Sequence, residues 1–224
     1  MSNTREWRIP VGSDATTAIF VPAEGVKRAG ALIFGHGAGG HLGDRGMLKA
    51  GQALLDAGLS VVRFNFLYKE RNSGRPDPMP RLMETVAAAA EHARRELGPV
   101  RLFLGGRSLG GRAATMLAAA GYATDGLILL AYPLHPPDQP EKLRDAHLPS
   151  IAAPVLCLNG TRDDFMRRDL MEPVLKRVKP TFTMHWIEAA DHSFHVLKKS
   201  GRTDAEVMAE VTEATRTWLA GLPR

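Results

Sequence analysis

The sequence has little cysteine and no long apolar run. Its 224 residues include one cysteine, Cys157, so neither an intramolecular disulfide nor a cysteine-based metal cage can form. The apolar neighbours of Cys157 indicate a buried, unreactive thiol. Residues 1–7 lack the apolar core of a secretory signal, and no later run approaches the length of a membrane span. We therefore expect a soluble, cytoplasmic protein with no membrane partner.

The sequence also lacks a concentrated block of charge and a linker between domains. Its 29 basic and 24 acidic residues are scattered along the chain and give a formal net charge of +5. Nucleic-acid-binding proteins more often carry a basic stripe interleaved with aromatic residues, so we expect no nucleic-acid partner, whereas anionic small substrates fit the charge. Because no Pro-, Gly- or Ser-rich stretch separates two cores, we expect a single domain over residues 1–224.

Predicted strands and helices alternate along the chain. Two short strands flank a turn at residues 12–14 and predict an antiparallel hairpin, and the later apolar runs are typical of strands buried on both faces. The predicted strands cover residues 7–9, 17–21, 31–34, 60–64, 101–104, 127–130, 155–158 and 182–187. Helices are predicted at residues 47–56, 82–97, 170–178 and 204–219, with another ending near residue 121 and a polar loop at 68–80. The alternation predicts an α/β fold with a mostly parallel, twisted sheet and helices on both faces.

A G-x-S-x-G motif lies between a predicted strand and a predicted helix. It reads Gly106-Arg107-Ser108-Leu109-Gly110. In this context the motif forms a tight, strained turn that exposes the serine hydroxyl, and side chains two positions away on either side would collide. The motif therefore predicts Ser108 as a nucleophile. Chemistry in such sheets collects at the carboxyl ends of the strands, which restricts where its partners can lie.

A serine hydroxyl needs a base within hydrogen-bond reach, and histidine is the usual one. His192 follows the last predicted strand, where a loop at the carboxyl edge of the sheet can reach the serine. His195 would share a face with it if a helix begins there, and it is the alternative. We predict His192 as the general base. The other histidines in helical, surface or strand contexts are predicted to be structural: His92, His147 and His185.

A carboxylate should hold the other imidazole nitrogen and stabilise the imidazolium. Asp163 follows the predicted strand at 155–158 by a short turn, which gives the chain order Ser, Asp, His that is characteristic of α/β-hydrolases. Its neighbour Asp164 is the alternative, whereas Asp125 precedes its strand and lies at the wrong edge. We predict Asp163 as the acid of the triad.

Acyl transfer also needs hydrogen-bond donors where the oxyanion develops. We expect one donor to be the N–H of Leu109 and the second to come from the Gly-rich loop at residues 35–40, where Ala38 is favoured and Gly39 is next. His36 is predicted to shape this loop. The loop also matches G-x-G-x-x-G, but the next strand lacks an acidic residue that would hold a ribose, so we expect no nucleotide cofactor.

These residues resemble the α/β-hydrolase superfamily, and more narrowly its small branch related to testis-expressed protein 30. The matching stretches are residues 35–40, 63–66, 105–111, 132–137, 160–165 and 191–194. The resemblance implies an α/β-hydrolase fold in which Ser108, Asp163 and His192 carry hydrolysis, without a cofactor or metal. Some relatives of this branch are non-catalytic subunits of chromatin-modifying assemblies, so the alternative function is a non-catalytic interaction module.

The interval after the predicted strand at 127–130 is short. Larger members of the superfamily insert a lid there, whereas residues 131–153 leave room for a minimal lid only. We expect an open mouth lined by Tyr132 and His135, with Tyr68 and Arg71 from the loop after residue 66. An open site suits a small-molecule partner, so the predicted function is an esterase-like serine hydrolase that cleaves short-chain esters or thioesters.

Overall fold

A computed structural model describes residues 4–24, 29–179 and 181–223, which form a sheet of eight strands. The strands lie in the spatial order β1-β2-β4-β3-β5-β6-β7-β8. In chain order they are β1 (Arg5–Val11), β2 (Asp14–Val21), β3 (Gly30–Gly35), β4 (Leu59–Phe64), β5 (Leu102–Arg107), β6 (Gly126–Leu130), β7 (Val155–Gly160) and β8 (Phe182–Ile187). The hairpin β1–β2 and its pairing with β4 are antiparallel, and all other neighbours are parallel. The mostly parallel sheet predicted from the sequence is confirmed.

Helices cover both faces of the sheet. They are α1 (Arg45–Asp56), α2 (Leu67–Glu70), α3 (Met79–Leu97), α4 (Leu109–Ala119), α5 (Arg168–Leu175) and α6 (Asp204–Gly221). Helices α1 and α6 pack on one apolar cluster, while α3, α4 and α5 pack on the other. Strand β6 is buried along its whole length because helices cover both of its faces.

The largest differences from the predicted elements fall in the polar loop predicted at residues 68–80. One helical turn, α2, forms at Leu67–Glu70, and α3 begins at Met79 rather than at residue 82. Pro80 lies in the first turn of α3, where its missing N–H has no helical partner to lose. A single turn is too short to give a helical periodicity, which explains why the sequence pattern missed α2.

The segment between β6 and β7 is short and carries little regular structure. Among the described residues, its one helical piece is a 3₁₀ turn at Leu148–Ser150. The predicted minimal lid is thus confirmed. Of the helices in the described ranges, none combines the length and the apolar character that crossing a membrane requires.

Candidate active site

Three loops meet at the carboxyl edge of the sheet. Strand β5 leads into Ser108, β7 leads into Asp163, and the loop after β8 carries His192. Because these strands are parallel, their carboxyl ends lie at the same edge, and the loops that follow them can converge. The candidate active site therefore lies at the carboxyl edge of the sheet.

The turn at Ser108 is strained and closely packed. Its φ of 51° and ψ of −112° lie in a region that non-glycine residues rarely adopt. A Cβ added at Gly106 would lie 2.6 Å from the carbonyl oxygen of Gly35, and one added at Gly110 would overlap the backbone of Gly35. The two glycines of the motif therefore let the turn approach the end of β3. The Ser108 N–H donates to Leu130 O over 2.9 Å, which ties the turn to β6.

A continuous chain of hydrogen bonds joins the three side chains. His192 Nε2 lies 3.0 Å from Ser108 Oγ, and His192 Nδ1 lies 2.9 Å from both carboxylate oxygens of Asp163. Since Nδ1 faces a carboxylate, we assign the proton of the neutral imidazole to Nδ1, which leaves Nε2 to accept a proton. The structure thus brings together the three residues that the sequence singled out.

The carboxylate of Asp163 is fully buried and held from two further sides. Asn159 Nδ2 donates to its Oδ2 over 2.9 Å, and the Phe165 N–H donates to its Oδ1 over 2.8 Å. The ring of Phe165 also stacks on His192 with centroids 4.2 Å apart. A fixed carboxylate orients the imidazole and stabilises it when it gains a proton.

The alternative residues lie elsewhere. His195 is exposed, and its Nδ1 lies 2.9 Å from Asp204 Oδ1. Asp164 is also exposed and forms no contact with His192 among the bonds of the described residues. The geometry therefore favours His192 over His195 and Asp163 over Asp164.

The loop that carries His192 is fastened at both of its sides. Asp191 Oδ1 accepts hydrogen bonds from the Ser193 and His195 N–H groups at 2.8 and 3.0 Å. On the other side, Arg107 Nη2 donates to His192 O over 3.1 Å. The sequence alone assigned no role to Arg107, Asn159 or Phe165. The signals that could have found them are a cation inside the G-x-S-x-G motif, for Arg107, and a polar and an aromatic residue around the end of a buried strand, for Asn159 and Phe165.

The loop predicted to supply an oxyanion donor lies beside the nucleophile. A Cβ added at Gly37 would be 3.6 Å from Ser108 Cβ. The Gly40 N–H donates to Gly37 O over 3.0 Å and closes the turn that contains Ala38. On the other side of Ser108, Leu109 is the first residue of α4, where N–H groups have no partner within the helix.

His36 and Tyr68 hold this loop in place. His36 is buried, its Nδ1 bonds Gly37 O at 2.7 Å, and its Nε2 accepts from the Phe66 N–H at 3.0 Å. Burial lowers the pKa of His36 to about 4, so the ring is neutral near pH 7, as this bonding requires. Tyr68 Oη donates to Ala38 O over 2.8 Å. These contacts agree with the loop-shaping role predicted for His36.

The residues predicted to line the mouth are engaged within the protein. Tyr132 and His135 are each 1% exposed, Tyr132 Oη donates to Arg144 O, and His135 Nε2 accepts from the Arg167 N–H. This burial argues against a direct substrate contact by either, because these hydrogen bonds hold both side chains inside the protein. Tyr68 is also buried, and Arg71 pairs with Asp77 over 2.5 Å. Substrate contacts of Tyr68 and Arg71 stay predictions.

Metal and thiol chemistry find little support in the described part of the chain. In these ranges, no group of three or more His, Cys, Asp or Glu side chains could hold a metal ion. Cys157 is buried in β7, as predicted, and burial raises the pKa of its thiol. A buried thiol of raised pKa is a poor nucleophile.

A mostly parallel sheet with a serine turn after β5 and a histidine loop after β8 defines a protein of the α/β-hydrolase class. A family profile described as an alpha/beta hydrolase domain matches residues 28–220, so the chain belongs to the α/β-hydrolase family. Within the superfamily, the match does not distinguish the branch of testis-expressed protein 30.

Solved structures share this fold at low sequence identity. An alpha-beta serine hydrolase homologue from Coxiella burnetii is 20% identical, with a TM-score of 0.78 over 95% of this chain and 97% of that one. XC6422 from Xanthomonas campestris, described as a serine hydrolase without lid, is 20% identical, with a TM-score of 0.78 over 98% and 97%. A dienelactone hydrolase from Anabaena variabilis is 18% identical, with a TM-score of 0.76 over 100% and 99%. At these identities the likeness shows the fold.

Proposed function

We propose that this protein is a serine hydrolase that cleaves small ester or thioester substrates through an acyl-enzyme on Ser108. The observation that carries the proposal is the hydrogen-bond chain from Ser108 Oγ through His192 to the buried Asp163. A buried carboxylate, an oriented imidazole and a hydroxyl on a strained turn are the parts that nucleophilic acyl transfer needs. The carboxylesterase class of hydrolases fits this set best.

In the proposed mechanism, Ser108 Oγ attacks the substrate carbonyl carbon while His192 Nε2 takes the hydroxyl proton. The N–H groups of Leu109 and Ala38 stabilise the oxyanion, with Gly39 as the alternative to Ala38. His192 then gives its proton to the leaving alcohol or thiol as the carbon–oxygen or carbon–sulfur bond breaks. A water molecule, deprotonated by His192, attacks the acyl group and releases the acid and free Ser108. Asp163 stabilises the imidazolium in both halves of the reaction.

The short segment between β6 and β7 supports small substrates. The His192 side chain is 22% exposed, so the reacting atoms are reachable without opening a large lid. An open site offers little apolar wall to a long acyl chain, and activity should therefore not rise steadily with chains beyond about ten carbons. Chromogenic esters and thioesters of increasing chain length measure this preference.

A fluorophosphonate probe tests the proposal directly. We expect the purified protein to be labelled on Ser108, and Ser108→Ala to abolish both labelling and turnover of the chromogenic esters. His192→Ala should slow labelling by orders of magnitude, whereas His195→Ala should keep it near the wild-type rate. An unlabelled wild-type protein without turnover would contradict the proposal and favour the alternative of a non-catalytic interaction module.

Two broader features of the proposal rest on the sequence. We propose that residues 1–224 form a single hydrolase domain, since the family match covers residues 28–220 and the described residues share one sheet. The narrower resemblance to the branch of testis-expressed protein 30 supports the proposed roles of Ser108, Asp163 and His192 and stays a prediction.

A further inference from the structure

Two arginines, one of them on the helix that follows Ser108, lack an anionic partner. Arg112 lies on α4, and Arg144 lies in the segment between β6 and β7; both are half-buried. Among the bonds of the described residues, neither guanidinium pairs with a carboxylate or donates to an acceptor, and the Nε of Arg112 is buried without any partner. A buried donor without an acceptor carries a desolvation cost that a bound acceptor would relieve.

The two cations lie close enough to affect each other. Burial lowers the pKa of Arg144, and the neighbouring charge of Arg112 lowers it further. Burial lowers the pKa of His147 to about 4, and the charge of Arg112 is the second cause, so this imidazole is neutral near pH 7. The cluster thus carries two positive charges that repel each other, and the carboxylate that acts on it is Asp145, whose charge opposes the lowering of the His147 pKa.

The nearest acidic side chain in the sequence is already paired. Asp145 follows Arg144 directly, but it binds Arg177 Nη2 just after α5. The Arg144 backbone is fixed from both sides, since its N–H donates to Leu134 O at 2.7 Å and its carbonyl accepts from Tyr132 Oη at 2.8 Å. The arrangement therefore holds Arg144 in place without neutralising it.

Both arginines belong to elements that begin beside Ser108. The Arg112 N–H donates to Ser108 O over 3.0 Å, so the two residues are one turn apart. Helical side chains lean toward the N-terminus of their helix, which for α4 is the end that carries Ser108. The segment with Arg144 begins where β6 ends, and Leu130 O at that end accepts from the Ser108 N–H.

We propose that Arg112 and Arg144 form an anion subsite that binds a carboxylate or phosphate group carried by the substrate. Planar guanidinium groups pair with both anions through bidentate hydrogen bonds, and the partly desolvated position strengthens such pairs. The inference rests on the proposed function for the reacting ester. It makes the preferred substrate an anionic ester or thioester.

Matched substrates test the subsite by kinetics. The 4-nitrophenyl monoester of adipate carries a terminal carboxylate, and 4-nitrophenyl heptanoate is its neutral counterpart of similar length. We expect the wild type to prefer the adipate ester and Arg112→Gln to lower its kcat/KM by about 10- to 100-fold, mostly through KM. The heptanoate ester should change by less than about twofold. Arg144→Gln should act in the same direction, and Arg112→Lys should restore part of the loss.

The control variant is Arg95→Gln, which removes the same charge from an exposed position on α3. It should leave both esters unchanged, and circular dichroism should confirm that each variant is folded. Equal losses on both esters in Arg112→Gln, or no wild-type preference for the anionic ester, would overturn the subsite.

Equilibrium binding separates the subsite from the hydrolase proposal. Adipate and inorganic phosphate are titrated into the Ser108→Ala protein by calorimetry and then into the same protein with Arg112→Gln added. Binding that needs Arg112, without turnover of any ester by the wild type, would keep the subsite and reject the hydrolase. Ester turnover without Arg112-dependent anion binding would keep the hydrolase and reject the subsite. If binding depends on Arg112, the anion that binds more tightly indicates whether the substrate carries a carboxylate or a phosphate group.

Discussion

At the scale of single residues, adjacent candidates differ by what surrounds them. Asp163 is enclosed by Asn159, Phe165 and His192, while Asp164 is exposed one position later. Three hydrogen-bond donors already hold the Asp163 carboxylate in place, so no solvent has to reorganise around it when the imidazole gains a proton. Position along the strand end thus decides which of two identical side chains can serve the imidazole.

This difference gives a prediction for the two aspartates. Asp163→Asn should lower kcat by roughly 10³- to 10⁴-fold, because an amide favours the wrong tautomer of His192 and cannot stabilise its charged form. Asp164→Asn changes an exposed carboxylate and should stay within about twofold of the wild type. Steady-state hydrolysis of a chromogenic ester measures both. Near-normal turnover by Asp163→Asn, with a large loss in Asp164→Asn, would move the role to the neighbour.

At the scale of elements, the sequence predicted the strand–helix alternation and the serine turn because both depend on local patterns. The apolar runs of β3 to β7 and the glycines around Ser108 are visible in one stretch of chain. Contacts between distant segments are not visible in any single stretch of chain. Arg107 reaches the carbonyl of His192 across 85 positions, and Tyr132 turns inward onto Arg144 O. The inward direction of Tyr132 was not predicted for the same reason, since strand-end position does not reveal where a side chain points; its role at the mouth stays a prediction that its burial disfavours.

The packing of the serine turn against β3 gives a prediction for glycine. Gly110→Ala places a methyl group into the backbone of Gly35, which cannot move aside without breaking the sheet. We expect the free energy of unfolding to fall by about 3 kcal/mol or more. Gly74→Ala is the control, because a Cβ at this exposed position meets nothing within 4 Å. Urea unfolding measures both variants, and a Gly110→Ala protein as stable as Gly74→Ala would refute the close approach.

At the scale of the whole molecule, the apolar clusters on the two faces of the sheet hold the loops of the site from opposite sides. Helix α4, which follows Ser108, packs on one cluster, while Phe194 in the histidine loop belongs to the other. The Ser108–His192 contact therefore depends on the intact sheet between them. Unfolding of either layer should separate the two residues and abolish any activity together with the tertiary structure.

Two histidines, the buried His36 at the Gly-rich loop and the half-buried His147 near α4, link the stability of the whole fold to pH. The pKa values of His36 and His147 are lowered to about 4 by burial, with Arg112 adding to the effect at His147, whereas an unfolded histidine titrates near 6.5. Between these values the unfolded chain binds more protons than the folded protein. The stability that the two neutral histidines contribute is therefore fully present above about pH 6.5 and is lost as the pH falls toward 4. Between pH 7 and 5 we expect a loss on the order of 3 kcal/mol in the free energy of unfolding, with the larger share from the more buried His36, measured by urea titration. His147→Gln, which cannot take up this proton, should flatten the profile, and a wild-type protein equally stable at pH 5 and 7 would contradict the linkage.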